Sequence, residues 1–499
     1  MRLFLLISFF CPYLLFSQGK DSTQASGKKD SAQSYSSVSV NSYSGGTSMP
    51  FWLRANQYGT APSSTPALSI QAQSFKSIQL KNKNWKFGYG VEVVGNVAKH
   101  SQLLLPQAYL KLNFKSWELY VGRRRETFGL SDTTLGTGAY SWAGNALPMP
   151  KIQLSIPNYR YVRFTKNWVA VKGTFSHGWF GNETFVNHYF LHQKSLFIRI
   201  SKPNSKLKLY GGFVHNVQWG GRATYESSLI GQDKLLPSSF TDYLYVVTGR
   251  SLQNKQILGP SGPLTNFDST NRIGNHLGSI DMGFDYDFEK YTLSCYRQNI
   301  FEDGSLYYGT NIQDGLNGIT LKKRNFEPKK GKLSFLKFNA EFLYTMSQGG
   351  PLAGNQYGIF GKDNYFNHAQ FRDGWWYRGH VIGSPFLTNR FDSRTEFQEV
   401  GIYNGYESIN NNRVRVYHVA MEGYYGMSVH FRTKLSLSHN YGTYDFGYGG
   451  VKQLSGLVEA DGKIKQLGGL QWTVAAGFDV GQLYNNSFAL RLGLRYKKP

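Results

Sequence analysis

Apolar and polar side chains alternate along much of this 499-residue chain. In WKFGYGVEVVGN, Trp85, Phe87, Tyr89, Val91 and Val93 fall on one face of an extended backbone, and Lys86, Gly88, Gly90, Glu92 and Val94 fall on the other. QAYLKLNFK sets Ala108, Leu110, Leu112 and Phe114 against Tyr109, Lys111, Asn113 and Lys115. LSFLKFNAEFLYTM opposes Leu336, Phe338, Ala340, Phe342 and Tyr344 to Lys337, Asn339 and Glu341. SVHFRTKLSLSH and SFALRLGLRY repeat the scheme, with Arg432, Lys434, Arg491 and Arg495 on their polar faces. A period of two is the period of a strand. Each run lasts roughly 8–12 residues, nearer the 9–11 of a membrane-crossing β-strand than the 5–6 of a soluble sheet. The pattern predicts an all-β fold: a transmembrane antiparallel β-barrel of the outer membrane, with plug and loop elements, whose lipid and lumen faces alternate. A secreted β-sandwich shares the period but not the strand length.

The places where alternation stops give the domain plan. Residues 1–17 carry one early Arg, an apolar run from Leu3 to Phe16 and a small Ser17, the layout of a signal peptide. Residues 18–48 are rich in Ser, Lys, Gln and Gly and read as a flexible lead. Residues 49–66 read as an N-terminal docking or plug segment, and 67–499 as the barrel with long loops. Within that barrel, 127–158, 220–275, 303–330 and 347–395 do not alternate. Connections of that length are functional loops, plugs or lids. No amphipathic helix stands out in them, and Leu235–Val247 reads equally as a short helix or a strand.

Composition sharpens this. Mean hydropathy is only −0.40, yet 16% of residues are aromatic, as expected where aromatic girdles flank a wall with a polar lumen face. Loss of a signal peptide would remove Cys11 and leave Cys295 alone, so neither an intramolecular disulfide nor a cysteine-based metal site is expected. The net charge is +24, and much of the excess sits on the polar strand faces. Such a lumen and rim attract anionic solutes or polyanions; the same cations also suit lipid headgroups and lipopolysaccharide phosphates. GRRRE (Gly122–Glu126) is the densest cluster and reads as a strand end at the membrane edge. Nucleic acid is not an expected partner of an exported chain.

Catalytic signatures are missing: there is no GxSxG, HExxH, phosphate-binding loop or dinucleotide fingerprint. His188 and His192 share a face, but no Glu stands between them to make a metal motif. Glu396 and Glu399 near Asp392 lie among Arg390 and Arg394, so local charge pairing explains them better than a glycosidase pair. No enzyme activity, cofactor or metal is expected. What does stand out is a series of polar–aromatic blocks: PFWLRANQYG, GTGAYSWAGNALPMPKI, GGFVHNVQWGG, GKDNYFNHAQFRDGWWYRGHVIGSPF and NNNRVRVYHVAMEG. Aromatic faces stack on sugar C–H patches while amides and charges take hydroxyl groups. The candidate stacking residues are Trp375, Trp376, Tyr377, Trp142 and Trp219. The candidate polar partners are Arg372, Asp373, Arg378, Asn364, Asn367, His368 and His215. The same composition also fills a barrel interior with satisfied polar networks.

Taken in order from about residue 49 to 423, these blocks together with YVGRRRETFG resemble the Wzi family of capsule assembly proteins. The resemblance implies an outer-membrane barrel of about 18 strands in a Gram-negative bacterium, with non-strand elements closing one end. It also implies a non-enzymatic, lectin-like role: retaining or organising exported acidic capsular polysaccharide or exopolysaccharide, with outer-membrane lipids, lipopolysaccharide and the export machinery as further candidate partners. An anion-preferring porin is the alternative. On this reading Pro50–Tyr58 docks into the periplasmic mouth, with Phe51, Trp52 and Leu53 buried and Arg54, Asn56 and Gln57 bonded to lumen groups.

Overall fold

The computed structural model describes residues 34–227, 229, 230, 232–250, 272–302, 305–352, 361–398, 408–468 and 470–498. The expected signal peptide and the first part of the expected lead lie outside them. The wall runs β1 (Tyr35–Gly45), β2 (Ala67–Gln79), β3 (Trp85–Val97), β4 (Gln102–Phe114), β5 (Trp117–Arg123) and β6 (Lys151–Tyr161). It continues through β7 (Val169–Asn182), β8 (Val186–Ile200), β9 (Leu207–Trp219), β10 (Asn275–Asp287), β11 (Tyr291–Phe301) and β12 (Gly315–Lys323). Then come β13 (Leu333–Tyr344), β14 (Val414–Tyr425), β15 (Val429–Gly442), β16 (Gly447–Ile464), β17 (Leu470–Gly481) and β18 (Ser487–Lys498). Each strand pairs antiparallel with its sequence neighbours, and β1 also pairs with β18 from Ser36↔Lys498 to Gly45↔Ala489. That seam closes an 18-stranded barrel, leaving no open edge.

The faces follow the alternation. Leu110, Val121, Leu435, Leu490, Leu492 and Leu494 point outward and are exposed, as lipid-facing residues must be outside a bilayer. Glu92, Asn96, Glu341, Ser436 and Ser438 point inward and are buried.

Two expectations are corrected and one open reading is resolved. Tyr35–Gly45 is not flexible lead but the first wall strand. Its lumen face is built from serines, Ser37 and Ser39, and only Val38 and Val40 supply aliphatic outward positions. Lys151–Tyr161 and Gly315–Lys323, inside segments that did not look alternating, are wall strands as well. Finally, Leu235–Val247 resolves toward helix: α2 spans Phe240–Thr248. A capping box of Ser239 and Asp242 starts it, and Gly249, at φ 64°, ends it in the left-handed conformation.

The two rims differ. At one, every connection is short. At the other, the connections after β1, β5, β9 and β13 are long in sequence; 46–66, 124–150 and the described parts of 220–274 and 345–413 lie there. Outer-membrane barrels turn short connections to the periplasm and long ones outward, which makes the long-connection rim extracellular. The docking segment 49–66 joins β1 to β2 at that outer rim. The expected periplasmic mouth is therefore corrected: β1 has already carried the chain across the wall before the segment begins.

Candidate functional site

The lumen is plugged by residues 46–66, 124–150 and the described parts of 345–413. One buried piece is a single helical turn, α1 (Phe51–Arg54), entered through Pro50 in an extended conformation and left through Ala55. Phe51, Trp52 and Leu53 are buried, each burial contributing about 1.5–3 kcal/mol. The backbone N–H of Phe51 donates to Asp479 Oδ2 at 2.8 Å. Trp52 Nε1 donates to Ser436 Oγ at 3.2 Å, and Ser436 Oγ lies 2.7 Å from His418 Nδ1. His418 Nε2 lies 2.7 Å from the carbonyl of Leu135, which only accepts, so Nε2 carries the proton. Nδ1 of the neutral ring then accepts from Ser436, which in turn accepts from Trp52. One wall serine and one wall histidine thereby tie two separate plug segments together.

After α1 the chain reverses through Asn56 and Tyr58, both at φ 56°. For a tyrosine this left-handed conformation costs roughly 1–2 kcal/mol. Its N–H donates to the Gly144 carbonyl at 2.8 Å, and the Arg125 guanidinium stacks 4.9 Å above its ring. Gly144 is itself required, since a Cβ there would stand 2.8 Å from the Tyr58 ring. Asn56 Nδ2 donates to the Thr137 carbonyl at 2.9 Å, and its N–H donates to Asn145 Oδ1.

Wall carboxylates and amides hold the rest of the plug by its backbone. Glu341 accepts from Thr137 N–H at 2.6 Å and from its hydroxyl at 2.5 Å, and also from the Tyr296 hydroxyl. Asp281 accepts from Leu130 N–H at 2.6 Å, and Gln298 from Tyr140 N–H at 2.8 Å. Just beyond the strand ends, Glu302 accepts from Phe366 N–H, and Asp314 from the N–H groups of Ser347 and Gln348. Charge-assisted bonds of this kind are about twice as strong as neutral ones. Asp281, Glu302, Asp314, Glu341 and Asp479 are in this way committed to holding the plug.

A second consequence is a dense ion-pair array along the lumen. Arg124 bridges Glu118 at 2.5 Å and Glu126 at 2.7 Å, and Lys151 reaches Glu126 at 2.9 Å. Burial pushes the Glu126 carboxyl up, but Lys151 and Arg124 outweigh it and hold the group down at about 2. Arg125 pairs with the buried Glu92. The GRRRE cluster, expected at the membrane edge, thus turns Arg124, Arg125 and Glu126 into the lumen instead. Beneath α1 lies a cavity of about 200 Å³, bounded by α1, by plug residues 131–143 and by side chains of β15, β16 and β18.

On its exposed side the plug keeps a small aromatic–cationic patch. Trp376 is half-buried 6.0 Å from the exposed ring of Phe391, and the Arg390 guanidinium lies 4.8 Å over Phe391. Arg378, with its side chain 53% exposed, reaches Glu183 of the β7–β8 hairpin at 3.8 Å.

Against known proteins, the family model described as "Capsule assembly protein Wzi" matches residues 16–389, well over half the chain. This chain belongs to the Wzi capsule assembly family. Among solved structures it is similar to Escherichia coli Wzi, an outer membrane protein involved in Group 1 capsule assembly and described as a carbohydrate-binding β-barrel. Identity there is 14%, the TM-score is 0.58, and the match covers 93% of this chain and 84% of that one. It also matches Acinetobacter baumannii OccAB4 (10% identity, TM-score 0.46, 93% and 98% covered) and Pseudomonas aeruginosa OccK5 (10%, 0.46, 94% and 98%). No curated protein sequence matches it. The family and fold place it in the outer membrane of a Gram-negative bacterium.

Within this Wzi-family barrel, the expected site residues separate into two groups. Trp375, Tyr377, Trp142 and Trp219 are buried in the plug or against the wall, so the expectation that they stack on a ligand is corrected: no ring face is presented. Arg372 is buried with its guanidinium 3.5 Å over Tyr225, and Asp373 accepts from the N–H groups of Thr184 and Phe185. Asn367 makes a two-way bond with the backbone of Ile409, Asn364 accepts from Asn412, and His368 accepts from Gln370 and Phe371 N–H. His215 lies buried against His276 at 2.9 Å. All of these build the plug and its seat. Trp376 and Arg378 remain at the surface. Of the docking residues, Arg54 pairs with Asp392 at 2.9 Å, and Gln57 lines the cavity. Phe391 was missed; it follows an Arg in an unpatterned stretch, and only its position beside Trp376 makes it notable.

Proposed function

We propose that this barrel holds exported acidic polysaccharide at the cell surface, with the exposed side of its plug as the contact. The observation that carries the reading is the outward Trp376–Phe391 pair flanked by Arg378 and Arg390. Two ring faces suit sugar C–H patches, and two guanidinium groups suit carboxylates. Membership of a capsule assembly family and similarity to a carbohydrate-binding barrel support it. The reading is of a retaining protein rather than a catalyst, seated among outer-membrane lipid and lipopolysaccharide and receiving its ligand from the export machinery.

The test compares cell-bound with shed acidic polysaccharide in a strain lacking the gene, then complemented with wild type or with Trp376→Ala/Arg378→Ala. Shedding at unchanged total synthesis, rescued only by wild type, is expected. Unchanged retention, with slower uptake of small anionic solutes, would replace the reading by the anion-preferring porin.

A further inference from the structure

We infer that the cavity beneath α1 is a binding site for a single acidic sugar unit, with Lys434 receiving its carboxylate. The charged groups facing the cavity are Asp132, Arg432, Lys434, Glu459 and Arg491. Both carboxylates are already matched. Asp132 pairs with Lys337 at 2.9 Å and also accepts from Thr134 and Leu135 N–H. Glu459 is gripped from two sides, by Arg432 at 3.3 Å and by Arg491. Lys434 is left over: among the described residues it makes no ion pair, and its ammonium rests 4.4 Å over the Trp52 ring. A ring face attracts a cation without neutralising it. Glu341, Asp132 and Glu459 attract the ammonium only at longer range, so it faces the cavity without a carboxylate in contact, an arrangement that favours an anion.

Other groups in the lining point the same way. Arg491 Nε and Asn56 Oδ1, in two side chains that line the cavity, are buried with no hydrogen-bond partner, one a donor and one an acceptor. Leaving such groups unmatched costs about 1–3 kcal/mol each. The Gln57 amide and the hydroxyls of Ser131 and Thr133 add neutral hydrogen-bonding capacity beside the apolar edges of Leu53 and Leu457. An inorganic anion would use the cation alone. A uronic acid uses the cation through its carboxylate and the neutral lining through its hydroxyls. The volume of about 200 Å³ is many times the ~10–15 Å³ that suffices for one water, and leaves room for one sugar ring.

This inference rests on the proposed polysaccharide role for its choice of ligand, but its location is separate from the Trp376 patch. The experiment is isothermal titration of the purified full chain in detergent with glucuronate, glucose and acetate. Glucuronate should bind, and both glucose and acetate should bind much more weakly. Lys434→Gln should weaken glucuronate by roughly 10- to 100-fold, with Lys434→Arg restoring most of it and heat-modifiable migration on gels confirming an intact barrel in each variant. Equal binding of acetate, or unchanged glucuronate binding by folded Lys434→Gln, would overturn the inference. Failure here with surface retention intact would leave the retaining role standing. Loss of retention only in Trp376→Ala/Arg378→Ala would likewise leave this site standing.

Discussion

Replacing Glu341 by Gln should loosen the plug without opening the wall. The carboxylate is buried and accepts three hydrogen bonds, two from Thr137 in the plug and one from Tyr296 in the wall. Charge-assisted bonds are worth about 1.5–3 kcal/mol each, so the two plug bonds hold Thr137 by some 3–6 kcal/mol. Both plug bonds end on the same oxygen, Oε2, so a glutamine carbonyl there keeps them as neutral bonds of about 0.5–1.5 kcal/mol each and turns its N–H₂ group to the Tyr296 hydroxyl. The net loss of docking free energy is about 2–3 kcal/mol, which raises the plug's opening constant roughly 30- to 140-fold. Native-state hydrogen exchange reads that constant directly. Amides of residues 129–146 should lose protection by that factor, while amides of β14 to β17 stay as protected as in wild type. In planar bilayers the same variant should show intermittent conductance. Unchanged protection over 129–146 would mean that the plug is held by packing alone and that the wall carboxylates are incidental.

Two further outcomes follow from the geometry. Gly477 faces α1 so closely that a Cβ there would stand 2.8 Å from Leu53 Cγ and 3.2 Å from Pro50 Cβ; Gly477→Val should displace α1 and lower docking stability by about 1–3 kcal/mol, seen as faster proteolysis near Arg54 in a barrel that still migrates as folded. Glu183, pushed up to about 7 from 4.5 by burial, with Asp373 adding to the rise and Arg378 opposing it, binds its proton more tightly in the folded state. Its contribution is fully present below about pH 4.5 and is lost as pH rises to about 7, by at most about 3 kcal/mol. Melting temperatures should therefore fall between pH 5 and 8 more steeply in wild type than in Glu183→Gln, and equal slopes would refute this.

Strands with aliphatic side chains on one face, such as β3, β15 and β18, were readable because lipid exposure demands an apolar residue at every second position. β1 was not, since Ser36, Ser42 and Ser44 share its outward face with only two valines, so both faces read as polar. β12 was hidden for a related reason, with Ile319 and Leu321 as its only clearly aliphatic outward residues. The plug resisted reading for a different reason. Trp375 and Trp376 are adjacent and chemically identical, yet one is buried and the other meets Phe391; only three-dimensional packing tells them apart. Likewise the polar face containing Lys434 was evident from alternation. That Lys434 makes no ion pair depends on Arg432, two residues away on the same strand, and Arg491 of β18 having taken Glu459.

The seam between β1 and β18 has a bearing on how the protein assembles. Ser36 pairs with Lys498, and closing a loop of roughly 460 residues costs about 5 kcal/mol in chain entropy. Contacts of such sequence separation form late. The strand that completes the wall leads through residues 46–50 directly into α1, a buried piece of the plug. Zipping up the last edge and stoppering the lumen are thus consecutive steps of one chain movement. A circular wall with an unobstructed pore, which would short-circuit the permeability barrier of the cell, is not a waypoint on that route.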